Sequence, residues 1–393
     1  MSDVEFADYI VIGSGPGGAV TALTLAEAKK GVLILEEGRA LGIDSCPQFS
    51  IEEMQTKYRN SGMTVSLGRH KVSYVEAKTV GGGSEVNSGL YHRTPDDVLA
   101  KWAEKYRLQN ASPSEMRPHF EFFENALSVS LSENIPRASQ KLHEGALSLG
   151  WKSMEVPRWR KGDRRQSMTE TILPKAMALG ARLHDNTKVL NFRKTSSGFW
   201  QINCKTPGGK KVYQCKKLFV CAGAIQTPSL LMKSGIKKNV GRQLQMHPSF
   251  KLTAQFKDQV NDKDMGVPVH QVKQFAPDLS FGCSLSSEPY LAMGLVGQQN
   301  EIENLNRNWR NMAIYYAMVS GAESKGRIMN LPFGWDPFVF YNLERKDLEK
   351  LAEGIFHLAQ ALFAAGATRL ISSVGTFTTL SEMTKESILS KMK

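Results

Sequence analysis

The chain has 393 residues, 41% of them apolar, and a formal net charge of +12. That length exceeds one ordinary core, so two domains, or one with a large insertion, are expected. No run approaches the ~18–20 uninterrupted apolar residues of a membrane-spanning helix, and the five cysteines (Cys46, Cys204, Cys215, Cys221, Cys283) are odd in number, scattered and without a CxxC pair. This excludes a disulfide framework or a zinc site and predicts a reducing, cytoplasmic setting.

The first predicted element is a strand, Ile10-Val11-Ile12, which runs straight into Gly13-x-Gly15-x-x-Gly18 and a helical stretch, AVTALTLAEA. In such a turn the first glycine permits the tight reversal, the second lets backbone approach a pyrophosphate, and the third lets helix pack on strand. The helix N-terminus then offers its free N–H groups to the anion. A second apolar strand, GVLILEEG, follows and carries Glu36 18 residues past Gly18, where a carboxylate accepts hydrogen bonds from ribose hydroxyls. The residues ahead of the turn, MSDVEFAD, are acidic where a secretory leader would be basic, so no leader is expected.

Next comes an irregular, Gly- and Ser-rich stretch centred on 78–95. Residues 96–130 alternate apolar and charged positions at helical spacing and predict two helices, the second opened by Ser112 and Glu115 in capping-box spacing. Helices are also predicted over 139–150 and 167–180. Between them lies PRWRKGDRR, residues 157–165, the densest basic cluster. No nucleic-acid motif accompanies it, so nucleic acid is not expected as a partner, and the segment is read as a solvated loop or as a docking surface for an acidic partner or anionic membrane.

From 181 to 221 three strands are predicted, with TPGG as a hairpin turn. Residues 250–345 then offer strand-like segments separated by Gly, Pro and Asn, up to a helix over 344–367 that stops at Gly366. Aromatic, methionine and apolar side chains in HQVKQFAPDLSFG and PYLAMGLVGQQN suit a roomy apolar pocket for a lipid-like or aromatic alcohol, or plain sheet core.

Three stretches behind the N-terminal turn, VGGGSEVNSGLYHRTP (80–95), CAGAIQTPSLLMKSGI (221–236) and GRQLQMHP (241–248), stand in an order and spacing that resemble the glucose-methanol-choline (GMC) oxidoreductases. The resemblance implies an α/β, Rossmann-like FAD-binding domain with a parallel sheet, over 1–249, including a flavin-contacting loop at 78–95 and a helical insertion at 96–180. It implies an α+β substrate domain with an antiparallel sheet over 250–343, and a return helix to the FAD domain in 344–393.

The cofactor implied is FAD, the reaction oxidation of an alcohol by hydride transfer to flavin N5, and the partner a small-molecule alcohol with an unassigned electron acceptor. Gly13, Gly15 and Gly18 become the pyrophosphate turn and Glu36 the ribose acceptor. Gly82, Gly83, Ser84 and Asn87 line the diphosphate and flavin ring, the backbone of Val189 meets adenine, and Ala222 and Gly223 form the strand end beside the cofactor. Thr227 and Pro228 start the next helix, and His247 falls in the HP loop, where a lone histidine reads as a structural hydrogen-bonder in preference to a base. No metal is expected.

Family members carry their general base, a histidine, on a last parallel strand after a helix like 344–367. The residues given after Gly366 contain no histidine, and the last one is His357. The catalytic residues are therefore unassigned, and three expectations stay open: a truncated or split gene product, a second chain that supplies the C-terminal piece, or a flavin-binding or partner-docking protein without independent turnover. A nicotinamide dehydrogenase would share the first turn but leaves the 80–95 and 221–236 segments without a role.

Overall fold

The computed structural model describes residues 4–162, 164–295, 298–320, 323–332 and 336–392, arranged in two compact units. The first gathers Met1–Ser130, Trp159–Leu244 and Gly326–Tyr341. Its sheet runs, in spatial order, Lys188–Lys194, Trp200–Thr206, Gly209–Val220, Val4–Ile12, Val32–Leu35 and Arg182–His184. The last four are parallel, and the first three form an antiparallel meander. Thr206 pairs with Gly209 across Pro207-Gly208, so the predicted hairpin turn is a two-residue loop.

Val32–Leu35 is buried along its whole length, the pattern of a parallel strand covered on both faces. On one face Val11 and Ile34 pack with Ala22, Leu23 and Ala26 of the helix Pro16–Glu27 and with Ile172, Leu173 and Ala176 of the helix Ile172–Ala178. On the other, Ile10, Ile12, Leu33 and Leu35 meet Phe192, Ile202, Tyr213 and Leu230.

Two helix starts differ from expectation. The helix predicted from 167 begins at Ile172, because Met168 and Thr169 spend their polar groups on Ser84 and Glu85. The helix predicted from Thr227 begins at Gly223 and holds Pro228 inside. Gly223 lies at φ +85°, which allows the chain to reverse straight out of the strand. The predicted helices Asp96–Tyr106 and Pro113–Ala126 form, the latter with the Ser112–Glu115 capping box complete.

The second unit gathers Leu131–Arg158, Gln245–Lys325 and Asn342–Lys393. Its seven-stranded sheet runs Gly375–Phe377, Ala367–Ser372, Ser249–Phe256, Met312–Val319, Leu279–Cys283, His270–Val272, Ser153–Glu155, antiparallel at every pairing. The helices Arg137–Ser148, Arg345–Ala364 and Lys385–Met392 cover one face over a core that includes Leu252, Phe281, Ala317, Leu142 and Leu358. On the other, Leu291, Leu295 and Leu305 pack on Met312, Ile314 and Ile371.

The expected domain limits change accordingly. Residues 131–158, expected within the helical insertion, and 344–393, expected to return to the cofactor domain, both belong to the second unit, while 326–341 belongs to the first. The reason is pairing: Ala367–Ser372 adds antiparallel to Ser249–Phe256, and Ser153–Glu155 adds to His270–Val272. Of the expected pocket residues, Val272, Phe281 and Leu291 are core. Among the described residues no helix is long and apolar enough to cross a membrane.

Candidate functional site

A cavity of about 690 Å³ opens in the first unit at the C-terminal ends of its parallel strands, the place where open α/β sheets bind ligands. Its wall is backbone brought unusually close. Gly13 lies at φ +98°, and a Cβ there would stand 2.4 Å from the Cys221 carbonyl oxygen. A Cβ on Gly18 would stand 1.9 Å from the Gly13 oxygen, so the helix that starts after Gly15 rests directly on the turn. Gly82, at φ +56°, would place a Cβ 2.7 Å from the Gly15 Cα. The two glycine-rich segments, far apart in sequence, thus meet back to back and leave a side-chain-free cradle.

Ser14, unremarked in the sequence, ties this cradle together. Its Oγ donates to Glu36 Oε2 at 2.7 Å and accepts from the Gly81 N–H at 3.1 Å, while its own N–H donates to the same carboxylate oxygen at 2.9 Å. Gly38 N–H donates to Glu36 Oε1 at 2.8 Å. Burial pushes the Glu36 pKa up against these bonds, and the carboxylate stays on the cavity wall with acceptor capacity to spare.

At the same wall stands an ionic group that composition alone conceals. Arg59 pairs with Glu37 at 2.8 Å, Asp336 at 3.3 Å and Glu76 at 3.8 Å, and Lys188 pairs with Glu37 at 2.9 Å. Burial opposes the Glu37 charge, yet the Arg59 bond and the two cations hold its pKa at about 2. Glu76, where burial outweighs Arg59 and the Gln226 hydrogen bond, is raised.

The cavity brings together Gly13, Gly15, Glu36, Gly82, Gly83, Val189, Ala222 and Gly223. Gly18, Ser84 and Asn87 lie outside its lining. Ser84 is buried, donating to the Gly81 carbonyl and accepting from the Met168 N–H; Asn87 Oδ1 accepts from the Gly89 N–H. Both shape the loop rather than face the cavity. His247 is exposed and has no hydrogen-bond partner among the described residues, unlike the structural role expected of it.

The basic segment 157–165 is corrected too. Arg158, Arg160 and Arg165 are buried. Arg165 donates to the backbone carbonyls of Glu85 and Asn87 and pairs with Glu53 at 3.5 Å, both side chains fully buried. Trp159 lies so close over Gly89 that a Cβ there would be 2.5 Å from its ring. Much of this segment braces the 82–89 loop instead of forming a solvated face. Among the described residues no group of His, Cys, Asp and Glu is placed to hold a metal ion.

Residues 8–249 match the sequence profile of the GMC oxidoreductases. An uncharacterised GMC-type oxidoreductase of Sinorhizobium fredii is 33% identical over 387 residues, spanning 94% of this chain and 76% of that protein. A long-chain-alcohol oxidase of Arabidopsis thaliana is 25% identical over 414 residues, 94% of this chain but 53% of that protein. Among solved structures, pyridoxine 4-oxidase from Mesorbium loti superposes with a TM-score of 0.72 at 14% identity, over 98% of this chain and 86% of that one. An R554K variant of Aspergillus oryzae formate oxidase gives 0.73 at 15% identity, over 100% and 87%.

Proposed function

The chain belongs to the GMC oxidoreductase family, whose cofactor is FAD, and from that premise we propose that it oxidises the CH–OH group of a small-molecule alcohol. The observation that carries this reading is the side-chain-free cradle where Gly15 and Gly82 meet. A planar, phosphate-bearing ligand needs backbone on both sides, and a single Cβ on Gly82 would close the gap.

In this reading the turn Gly13–Gly18 and the first N–H groups of the helix Pro16–Glu27 hold the pyrophosphate. Glu36, fixed by Ser14 and Gly38, accepts from the ribose. The backbone at Val189, together with Gly223, borders the remaining cofactor surface. When bound, FAD would supply a two-electron acceptor for the carbinol hydride while the hydroxyl proton passes to solvent, and the residues that would hold it are the Gly13–Gly18 turn, Glu36 and the Gly82–Gly83 backbone. The protein's share is to fix the ligand's long axis and keep water off its polar linkage.

The test is anaerobic mixing of the purified, FAD-loaded protein with primary, secondary and aromatic alcohols while flavin absorbance is followed. Bleaching by at least one class is expected. A folded, colourless protein that titrates with NAD, or a yellow one that no alcohol bleaches, overturns the reading.

A further inference from the structure

In the first unit, the stretch around the strand Thr64–Val65 turns the usual surface pattern inside out. Thr64 and Ser66 are buried, whereas Met63, Val65 and Leu67 face outward; a sheet with one solvated face normally sends its polar side chains out and its apolar ones in. The antiparallel pair Arg327–Met329 and Phe338–Phe340 joins this stretch through Leu67. The Leu67 N–H donates to the Val339 carbonyl at 2.7 Å, and the Leu67 carbonyl accepts from the Tyr341 N–H at 2.8 Å.

Ile328 and Val339 are buried, so Met329, Phe338 and Phe340 point the other way, into solvent. Leu67, Phe340 and Arg327 form one row across this ribbon, and Val65, Phe338 and Met329, each two residues along, stand behind them on the same face. The six apolar side chains, Met63 included, are 40–79% exposed. Single exposed apolar residues are ordinary, but a contiguous set marks a contact surface.

The charge around the ribbon is as one-sided as its polarity. A cavity of about 680 Å³ beside it is lined by Met329 and Ile328 together with Lys237, Arg242 and Arg327, and by no acid. Those three cations form no ion pair among the described residues. Arg69 and Lys71 follow Leu67 in the turn before the strand Ser73–Tyr74. In all, the segments 63–75, 232–244 and 326–340 carry seven lysines and arginines against one acid, Asp336, and that acid is taken up by Arg59 and Lys188.

We propose that this face docks on an anionic lipid bilayer, with Val65, Leu67, Phe338 and Phe340 entering the headgroup–acyl boundary and Lys237, Arg242 and Arg327 against the lipid phosphates. Phenylalanine and methionine have no polar group to satisfy and gain by leaving water, while unpaired cations beside them meet a diffuse negative surface without needing a partner of fixed shape. Docking of this kind is peripheral and reversible. It is independent of the alcohol-oxidising reading, which stands or falls by flavin bleaching alone.

The experiment is co-sedimentation of the FAD-loaded protein with vesicles of phosphatidylcholine alone or of phosphatidylcholine containing one-third phosphatidylglycerol, at low and high salt. Binding to the anionic vesicles is expected, weakened by salt and much reduced on phosphatidylcholine. Phe338→Ser with Phe340→Ser should abolish it, and Arg242→Gln and Arg327→Gln should each lower the partition coefficient about fivefold. Lys101→Gln with Lys105→Gln, on the helix Asp96–Tyr106, removes two charges elsewhere and should leave binding unchanged. Retained flavin absorbance and far-ultraviolet circular dichroism show that each variant is folded.

No binding to the anionic vesicles overturns the proposal, as does binding that survives the phenylalanine substitutions. Equal loss in the Lys101→Gln, Lys105→Gln variant also overturns it, because net charge alone would then explain adhesion. A concentration-dependent dimer that the phenylalanine substitutions dissolve, without vesicle binding, would assign the face to a second copy of the chain instead.

Discussion

At Gly15 the added Cβ of alanine would meet the Gly82 Cα at 3.7 Å, an ordinary contact, whereas at Gly82 it would meet the Gly15 Cα at 2.7 Å with φ positive. The two glycines thus separate ligand binding from folding. Compared as apoproteins, Gly15→Ala should unfold at the wild-type temperature, yet it should retain less FAD through gel filtration, and Gly15→Val, with a branched side chain in the phosphate volume, should retain none. Gly82→Ala should instead lower the melting temperature itself. Full flavin occupancy in Gly15→Val would show that the pyrophosphate lies elsewhere. Glu37 offers a second test, because its carboxyl is held at about 2 against an ordinary 4.5. A depressed carboxyl stabilises the fold above its unfolded pKa and loses that contribution as pH falls toward the folded one. The stability gap between wild type and Glu37→Gln, on the order of 3 kcal/mol at neutral pH, should therefore narrow between pH 4.5 and 2 in urea titrations. Glu36 and Glu76, raised chiefly by burial and in part by the Glu37 charge, run the other way, and Glu37→Gln relieves that part in both.

Among the elements, the helices Arg137–Ser148 and Arg345–Ala364 touch through one glycine: a Cβ on Gly145 would stand 1.9 Å from the Ala361 carbonyl oxygen and 3.1 Å from the Ala365 Cβ. Backbone cannot yield there without parting the helices, so Gly145→Ala should cost about 1–3 kcal/mol in equilibrium unfolding. A change within a few tenths would mean that the helices slide. Both helices are visible in the sequence, as are the glycine turn and the capping box at Ser112, because each is written in local spacing. Their contact is not, since nothing near Gly145 points to a helix some 200 residues on. The same limit explains Arg165 and Ser84. A cation in a basic run reads as solvated, and only the fold shows that its partners are the Glu85 and Asn87 carbonyls. Ser84 reads as a ligand donor, and only the fold shows its hydroxyl spent on Gly81 and Met168.

Across the whole molecule, the boundaries of the two units fall at 130/131, 158/159, 244/245, 325/326 and 341/342, so the chain passes between them five times. Neither unit is a continuous segment. The first needs 326–341 for the hydrogen bonds of Asn330 to Ser229, the backbone pairing of Gly326 with Leu244, and the Asp336–Arg59 ion pair on the cavity wall. A fragment ending at 244 is therefore expected to retain FAD more weakly and to unfold at lower urea than the full chain. Equal retention by the two would show that the cavity is complete without that return.

The interleaving also bears on how the protein is made. Val4–Ile12 lies between Val32–Leu35 and Gly209–Val220, so one of its flanking strands emerges from the ribosome roughly 200 residues after it, about 10–40 s at ordinary elongation speeds. Through that interval Ile10, Val11 and Ile12 stand at an open strand edge. The nascent chain is therefore expected to gain from factors that shield apolar edges during synthesis, and slowing translation between residues 35 and 209 should raise aggregation more than slowing it after 220.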